Sequence, residues 1–176
     1  MTIDQRDFRN ALGRFATGIA IVTATVHGTR IGATISSFNS VSLVPPLILF
    51  SMAKKSFGFA AWKAANAMAI FVLADDQSEL SNRFARAGSD KWIGLDEVFT
   101  SNGSPALPGA IATFECTPYA AYQGGDHEIF VCEVQSFGTA SARSQPLLFH
   151  AGRYCNLNSI TSDRAPSDVD MWLHGW

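Results

Sequence analysis

The stretch Ile19-Ala-Ile-Val-Thr-Ala-Thr-Val26, followed by His27-Gly28-Thr29 and then Arg30-Ile-Gly-Ala-Thr-Ile-Ser36, constrains the fold more than any other part of the chain. β-Branched residues dominate the first run; they suit a pleated strand and lose side-chain freedom in a helix. A short polar and glycine break between two such runs predicts a tight antiparallel hairpin. Further strand-length apolar runs follow at residues 47–51, 68–73, 111–117, 128–134 and 147–150. Those at 111–117 and 128–134 read as a pair joined through Gly124 and Gly125. Val44-Pro45-Pro46 stands just before the run at 47, a place open to a prolyl pair because it cannot continue a central ladder.

Three helices are expected among these strands. Asp4 can cap the first, whose Phe8, Leu12 and Phe15 share one face and pack on something, with Gly18 available to end it. Ser56 is placed to cap a short second helix through Trp62. Asp76 with Glu79 opens a third that carries Leu80 and Phe84 and ends near Gly88. From there to Gly109, the residues Gly94, Gly103, Pro105 and Pro108 predict an irregular connection with one short strand at 97–100. Strands outnumber helices, and no βαβα rhythm with a glycine fingerprint appears. The expected fold is mainly β, a β-barrel with a few helices set around it.

Composition narrows the class further. A chain of 176 residues is one domain's worth of protein. Lys and Arg number 13 against 15 Asp and Glu, a formal charge of −2, so there is no basic excess for nucleic acid. Charged residues make up only 16%, against an ordinary ~25%, which predicts surface covered by a second copy or a ligand. The first ten residues mix acidic and basic groups, unlike a signal peptide, and the longest apolar stretches fall short of the ~20 residues needed to span a bilayer. Cys116, Cys132 and Cys155 lack metal or disulfide spacing and read as reduced cysteines of a cytoplasmic protein. Residues 158–170 turn rich in Ser, Thr, Asp and Pro before the bulky Met171-Trp172-Leu173 and Trp176. The expected organisation is therefore a domain over 1–157 and a tail over 158–176 that docks on the domain or on a partner subunit.

Chemistry is confined to three patches. The four histidines are scattered, which excludes the usual metal spacings, and no GxSxG elbow marks a nucleophile. Gly124-Gly125-Asp126-His127 combines backbone that can approach a ligand with an imidazole, or is simply a turn. Ser51-Met-Ala-Lys-Lys-Ser56 leaves a strand and enters an expected helix N-terminus, where free N–H groups, Lys54, Lys55 and Ser56 can hold a phosphate; a solvated lysine pair beside an ordinary cap is the plainer alternative. The glycines of a Walker A loop are absent. Gly32-Ala-Thr-Ile-Ser-Ser-Phe-Asn-Ser-Val-Ser42 sets small hydroxyl residues beside exposed backbone, suited to a flat polar heterocycle or to an unoccupied polar edge.

Taken in order, Phe8-Arg-Asn-Ala-Leu-Gly-Arg-Phe-Ala-Thr-Gly18, Gly32-Ala-Thr-Ile-Ser-Ser-Phe38, Val41-Ser-Leu-Val-Pro-Pro46, Phe71-Val-Leu73, Leu80 with Phe84-Ala85, Gly125-Asp-His127, Pro146-Leu-Leu-Phe149 and Gly152-Arg-Tyr154 resemble the flavin reductase-like family of FMN-binding split barrels. The resemblance covers nearly the whole chain. It implies a six-stranded Greek-key split barrel and a homodimer with flavin near the subunit interface. The implied activity is hydride transfer from NADH or NADPH to FMN or FAD, supplying reduced flavin to a partner monooxygenase. By position it implies that Thr34, Ser36, Ser37 and Phe38 line the flavin ring and ribityl chain. Ser51, Lys55 and Ser56 then reach its phosphate end, and Asn82, Arg83 and Phe84 lie on the phosphate or adenylate side. His127 matches the nicotinamide side, as the catalytic candidate that orients the nicotinamide or polarises the flavin, and Tyr154 closes the pocket. Two other readings fit the same fold: a tightly held flavin that reduces another small molecule, and a flavin-binding module without catalysis.

Overall fold

In the computed structural model, which describes residues 3–88, 91–140 and 145–157, strands β2 (Ala20–Val26) and β3 (Thr29–Ile35) form the expected hairpin, with Val26 opposite Thr29. His27 and Gly28 both have positive φ, 49° and 76°, the geometry that matches a two-residue turn to the twist of its strands. The remaining elements are helix α1 (Gln5–Leu12), strand β1 (Thr17–Gly18), β4 (Asn39–Leu43), β5 (Pro46–Ala53), α2 (Phe59–Ala64), β6 (Met68–Val72), α3 (Ser78–Ala85), β7 (Ala112–Gly124), β8 (His127–Thr139), β9 (Leu148–His150) and β10 (Arg153–Cys155).

Seven strands make one antiparallel sheet in the order β3-β2-β6-β7-β8-β5-β4, and β1-β9-β10 form a second, small sheet. The chain is mainly β as expected, but its strands form sheets that do not close into a hydrogen-bonded ring. The large sheet is nevertheless curled. Its two edge strands, β3 and β4, are consecutive in the chain and separated only by Ser36, Ser37 and Phe38, a link that holds the strand ends within about 14 Å of each other even at full stretch. Ser37 Oγ accepts from the Ser51 N–H at 2.9 Å and donates to the Ser51 carbonyl at 3.2 Å, tying that link to β5.

The curl encloses one core and carries another on its outside. Along β2, Ala20, Val22, Ala24 and Val26 join Ile48, Phe50, Ile70 and Phe130 in the first cluster, while Ile19 and Ile21 alternate into a second with Phe71, Leu73, Phe84 and Leu147. β6 divides in the same way, Met68 and Ile70 against Ala69 and Phe71. Burial on both faces explains why these strands read as continuous apolar runs, and each large side chain so buried contributes about 1.5–3 kcal/mol. At Gly32 any β-carbon would collide with the Phe84 ring; the glycine lets α3 lie directly on β3.

Several boundaries differ from expectation. Asp4 caps α1 through the N–H groups of Arg6 and Asp7, but the helix stops at Gly13, not Gly18, and Phe8, Leu12 and Phe15 are exposed in the single chain. Ser56 does not cap α2; Gly58, with φ 77°, occupies that position without a side-chain bond. Gln77, not Asp76, precedes α3; its side-chain Oε1 accepts from the Ala74 N–H and its Nε2 donates to the Pro108 carbonyl. The strand expected at 97–100 is reduced to one bridge between Phe99 and Pro105. β7 and β8 run 13 residues each, because Pro118 sits at an irregularity of the ladder that absorbs its missing N–H. Among the described residues no helix is long and apolar enough to cross a membrane. The tail expected from 158 lies outside the described residues.

Candidate functional site

The end of β3 opens on a cleft of about 170 Å³ lined by Thr34, Ile35 and Ser36 together with Ile19, Ala85, Phe149 and Tyr154. Tyr154 is held there from two directions. Its hydroxyl donates to Asn82 Oδ1 at 3.1 Å and so accepts from Ser81 Oγ at 2.8 Å, while its ring meets Phe149 edge-on at 5.7 Å. Thr34 Oγ1 donates to the Ser81 carbonyl at 2.6 Å. Ser81, fully buried, is therefore the hub that fixes both walls. Sequence reasoning did not single it out. The available signal was its place three residues before Phe84, on the face that α3 turns to the core.

Beyond the cleft, Ser36 continues into the seam where Ser37 bonds to Ser51. Phe38 stacks on Phe114 with ring centroids 5.5 Å apart, so its ring packs against the core. At the far end of β5 the turn at 54–56 meets the β7–β8 hairpin. The Lys54 N–H donates to the Asp126 carbonyl at 2.9 Å and Lys54 Nζ to the Gly125 carbonyl at 2.7 Å. His127, opposite Ala53 in the ladder, places Nδ1 2.7 Å from Asp126 Oδ1. That hydrogen bond, then the imidazole's charge, holds the exposed Asp126 carboxyl below the usual aspartate range. Lys55 adds its field to Asp126, but its ammonium and the Ser56 hydroxyl bond to no described residue. Because α2 begins only at Phe59, the helix terminus expected to favour an anion is absent from this turn; attraction for a phosphate rests on Lys55 and the Ser56 hydroxyl.

The predicted residues thus fall into two groups joined by a seam. Thr34, Ser36, Asn82 and Tyr154 gather about the cleft; Lys55, Ser56 and His127 gather about the paired turns; Ser37 and Ser51 connect them. Three do not join either, the first being Phe38, whose ring packs against the core. Arg83 turns to the Ile93 carbonyl at 3.1 Å, and Phe84 is 1% exposed, edge-on to Trp92 at 5.0 Å. Phe84 is a core residue in this fold with almost no exposed surface; the apolar period that placed it on α3 already marked it for burial.

The arrangement can bind and orient but offers no strong nucleophile. Among the described residues no group of His, Cys, Asp and Glu is placed to hold a metal. Cys116, Cys132 and Cys155 are unpaired, and the Cys132 hydrogen bond together with burial pushes the Cys116 thiol far above its ordinary range.

Comparison with known proteins identifies the family. The profile described as a flavin reductase like domain matches residues 12–158. The chain is 46% identical over 151 residues to FMN reductase (NADH) SmoA of Agrobacterium fabrum, covering 86% of this chain and 85% of that one. It is 36% identical to the flavin-dependent monooxygenase reductase subunit HsaB of Rhodococcus jostii, over 97% of this chain and 88% of that one. Among solved structures, the NADH:FAD oxidoreductase SgcE6 of Streptomyces globisporus C-1027, in complex with NAD and FAD fragments, superposes with a TM-score of 0.80 at 32% identity, over 95% of this chain and 98% of that one. The chain belongs to the flavin reductase-like family.

Proposed function

We propose that this protein is an NAD(P)H:flavin oxidoreductase that passes hydride from a reduced nicotinamide to FMN or FAD and supplies the reduced flavin to a separate monooxygenase. The reading rests on one observation above all: small hydroxyl residues at the end of β3, a tethered tyrosine and an unengaged lysine–serine pair lie along one seam. The donors available there suit a flavin. The Ser36 and Ser56 hydroxyls and the Lys55 ammonium bond to no described residue, whereas those of Thr34 and Ser37 are engaged in holding the walls. Bound flavin supplies the hydride acceptor, so the chain's task is to hold two rings at about 3–3.5 Å and exclude water. Thr34, Ser36 and Tyr154 bound the ring space. Ser51, Lys55 and Ser56 hold the ribityl and phosphate end, and His127 is the catalytic candidate that orients the nicotinamide or polarises the flavin.

The curl of the seven-stranded sheet supports a Greek-key split-barrel reading, with the seam at Ser37 as its split. A homodimer covers the apolar face of α1. We assign residues 1–157 to the catalytic domain and 158–176 to a docking tail, in a cytoplasmic enzyme whose cysteines stay reduced. The deciding assay is NADH consumption by the purified protein with added FMN or FAD. Consumption proportional to added free flavin is expected; no consumption with either flavin overturns the reading.

A further inference from the structure

A second cavity, of about 480 Å³, shares the Phe149 ring with the cleft beside Tyr154. Its other walls are the end of α1, with Arg9, Asn10 and Arg14, and the β9–β10 turn at Ala151 and Gly152. The Ala151 N–H donates to the Gly13 carbonyl at 2.8 Å, so helix and turn are fixed relative to each other. Neither guanidinium has a hydrogen bond or ion pair with a described residue. The negative end of the helix dipole accommodates a cation at Arg9. It does not account for a second arginine, beyond the helix end, lining the same space.

In a chain of net charge −2, two guanidinium groups on one cavity that no described residue compensates select an anion, and their planar forks match phosphate oxygens in pairs. A ligand that fills both spaces has an anionic centre at the arginines and a compact ring beyond Phe149. We infer that Arg9 and Arg14 bind the diphosphate of the nicotinamide dinucleotide, with its nicotinamide end reaching past Phe149 toward Tyr154. This deepens the NAD(P)H reading above and rests on it.

The test is calorimetric titration with ADP-ribose, which carries the diphosphate but no nicotinamide, on wild type, R9A/R14A and R9K/R14K, with flavin affinity measured in parallel. Wild type binds ADP-ribose, R9A/R14A weakens it by roughly tenfold or more, and R9K/R14K retains part of the affinity; flavin affinity is unchanged throughout. Unchanged ADP-ribose affinity in a folded R9A/R14A overturns the inference, as does loss in step with flavin affinity. Loss confined to 2′-phospho-ADP-ribose also overturns it, since the arginines then read the 2′-phosphate. Wild type that consumes no NADH with added flavin defeats the NAD(P)H reading itself; active wild type with an R9A/R14A variant indifferent to ADP-ribose defeats only the arginine assignment.

Discussion

The hydroxyl of Tyr154 and the buried hydroxyl of Ser81 stand 2.8 Å apart, joining the last described strand to helix α3 across the cleft. Replacing Tyr154 with Phe removes this bond and the one to Asn82. The expected loss is about 1 kcal/mol, seen as a fall in Tm of about 2–4 °C in a thermal melt. A rise in KM for NADH is expected with it, because the ring loses its fixed position. A Y154F variant with wild-type Tm and KM would contradict the tethering role.

Gly32 is a packing glycine. A methyl group there meets the Phe84 ring, itself wedged against Trp92, so Gly32→Ala should destabilise the protein by about 1–3 kcal/mol. Denaturant unfolding measures this, and trimming the ring with Phe84→Leu in the same chain should return part of the loss. Full stability in G32A would mean that α3 can lift from β3 at little energetic penalty.

The Asp126–His127 pair gives a pH signature. The carboxyl titrates below the ordinary aspartate range because of the imidazole beside it. A folded value below the unfolded one means that the contribution is present above the ordinary aspartate range and is lost as pH falls through the depressed value. Carboxyl NMR titration should place Asp126 low in wild type and nearer the ordinary value in His127→Ala. An Asp126 unmoved by that substitution removes the imidazole as the cause.

Lys55 and His127 should separate kinetically. Lys55→Ala combined with Ser56→Ala weakens flavin binding by roughly tenfold, the scale of one lost charge-assisted contact. His127→Ala lowers kcat/KM for NADH and leaves flavin affinity close to wild type. Fluorescence quenching on flavin titration and steady-state rates tell the two apart; wild-type flavin affinity in the double variant would clear Lys55 and Ser56 of a phosphate role.

The exposed face of α1 and the chain just beyond it should be an interface. Phe8 and Leu12 on the helix and Phe15 after its end are 53%, 59% and 78% exposed in the single chain, a run of exposed apolar surface that marks an interaction site. Sedimentation at micromolar concentration should give a dimer, and Phe8→Glu with Leu12→Glu should shift it toward monomer. A wild-type monomer at that concentration would leave the low charged fraction without its expected cause.

Much of this fold could be read from the sequence because its strands are apolar on both faces. The runs at 19–26 and 68–73 feed two cores, so neither depends on knowing which side is inside. Boundaries set by backbone geometry were harder to read. Ser56 and Gly58 both can precede a helix, and only the left-handed φ of Gly58 decides between them. The ladder between β7 and β8 extends past residues that ordinarily end a strand, since an irregularity beside Pro118 absorbs the break. At the site, motif position located Thr34, Ser36 and Tyr154, which meet at one cleft. Ser81 escaped notice because its importance comes from what α3 is packed against. Arg83 and Phe84 share its helix but face other neighbours, a distinction that helical spacing carries only once the core is known.

The bond from Ser37 to Ser51 has a consequence beyond holding the sheet's edges together. One short link both sets the curvature of the sheet and borders the space assigned to the flavin, so the two cannot evolve independently. A substitution that reshapes the link for a different ring also loosens the closure of the fold. Divergence in flavin preference is therefore easier at the turn bearing Lys55 and Ser56, whose side chains make no hydrogen bond to any described residue.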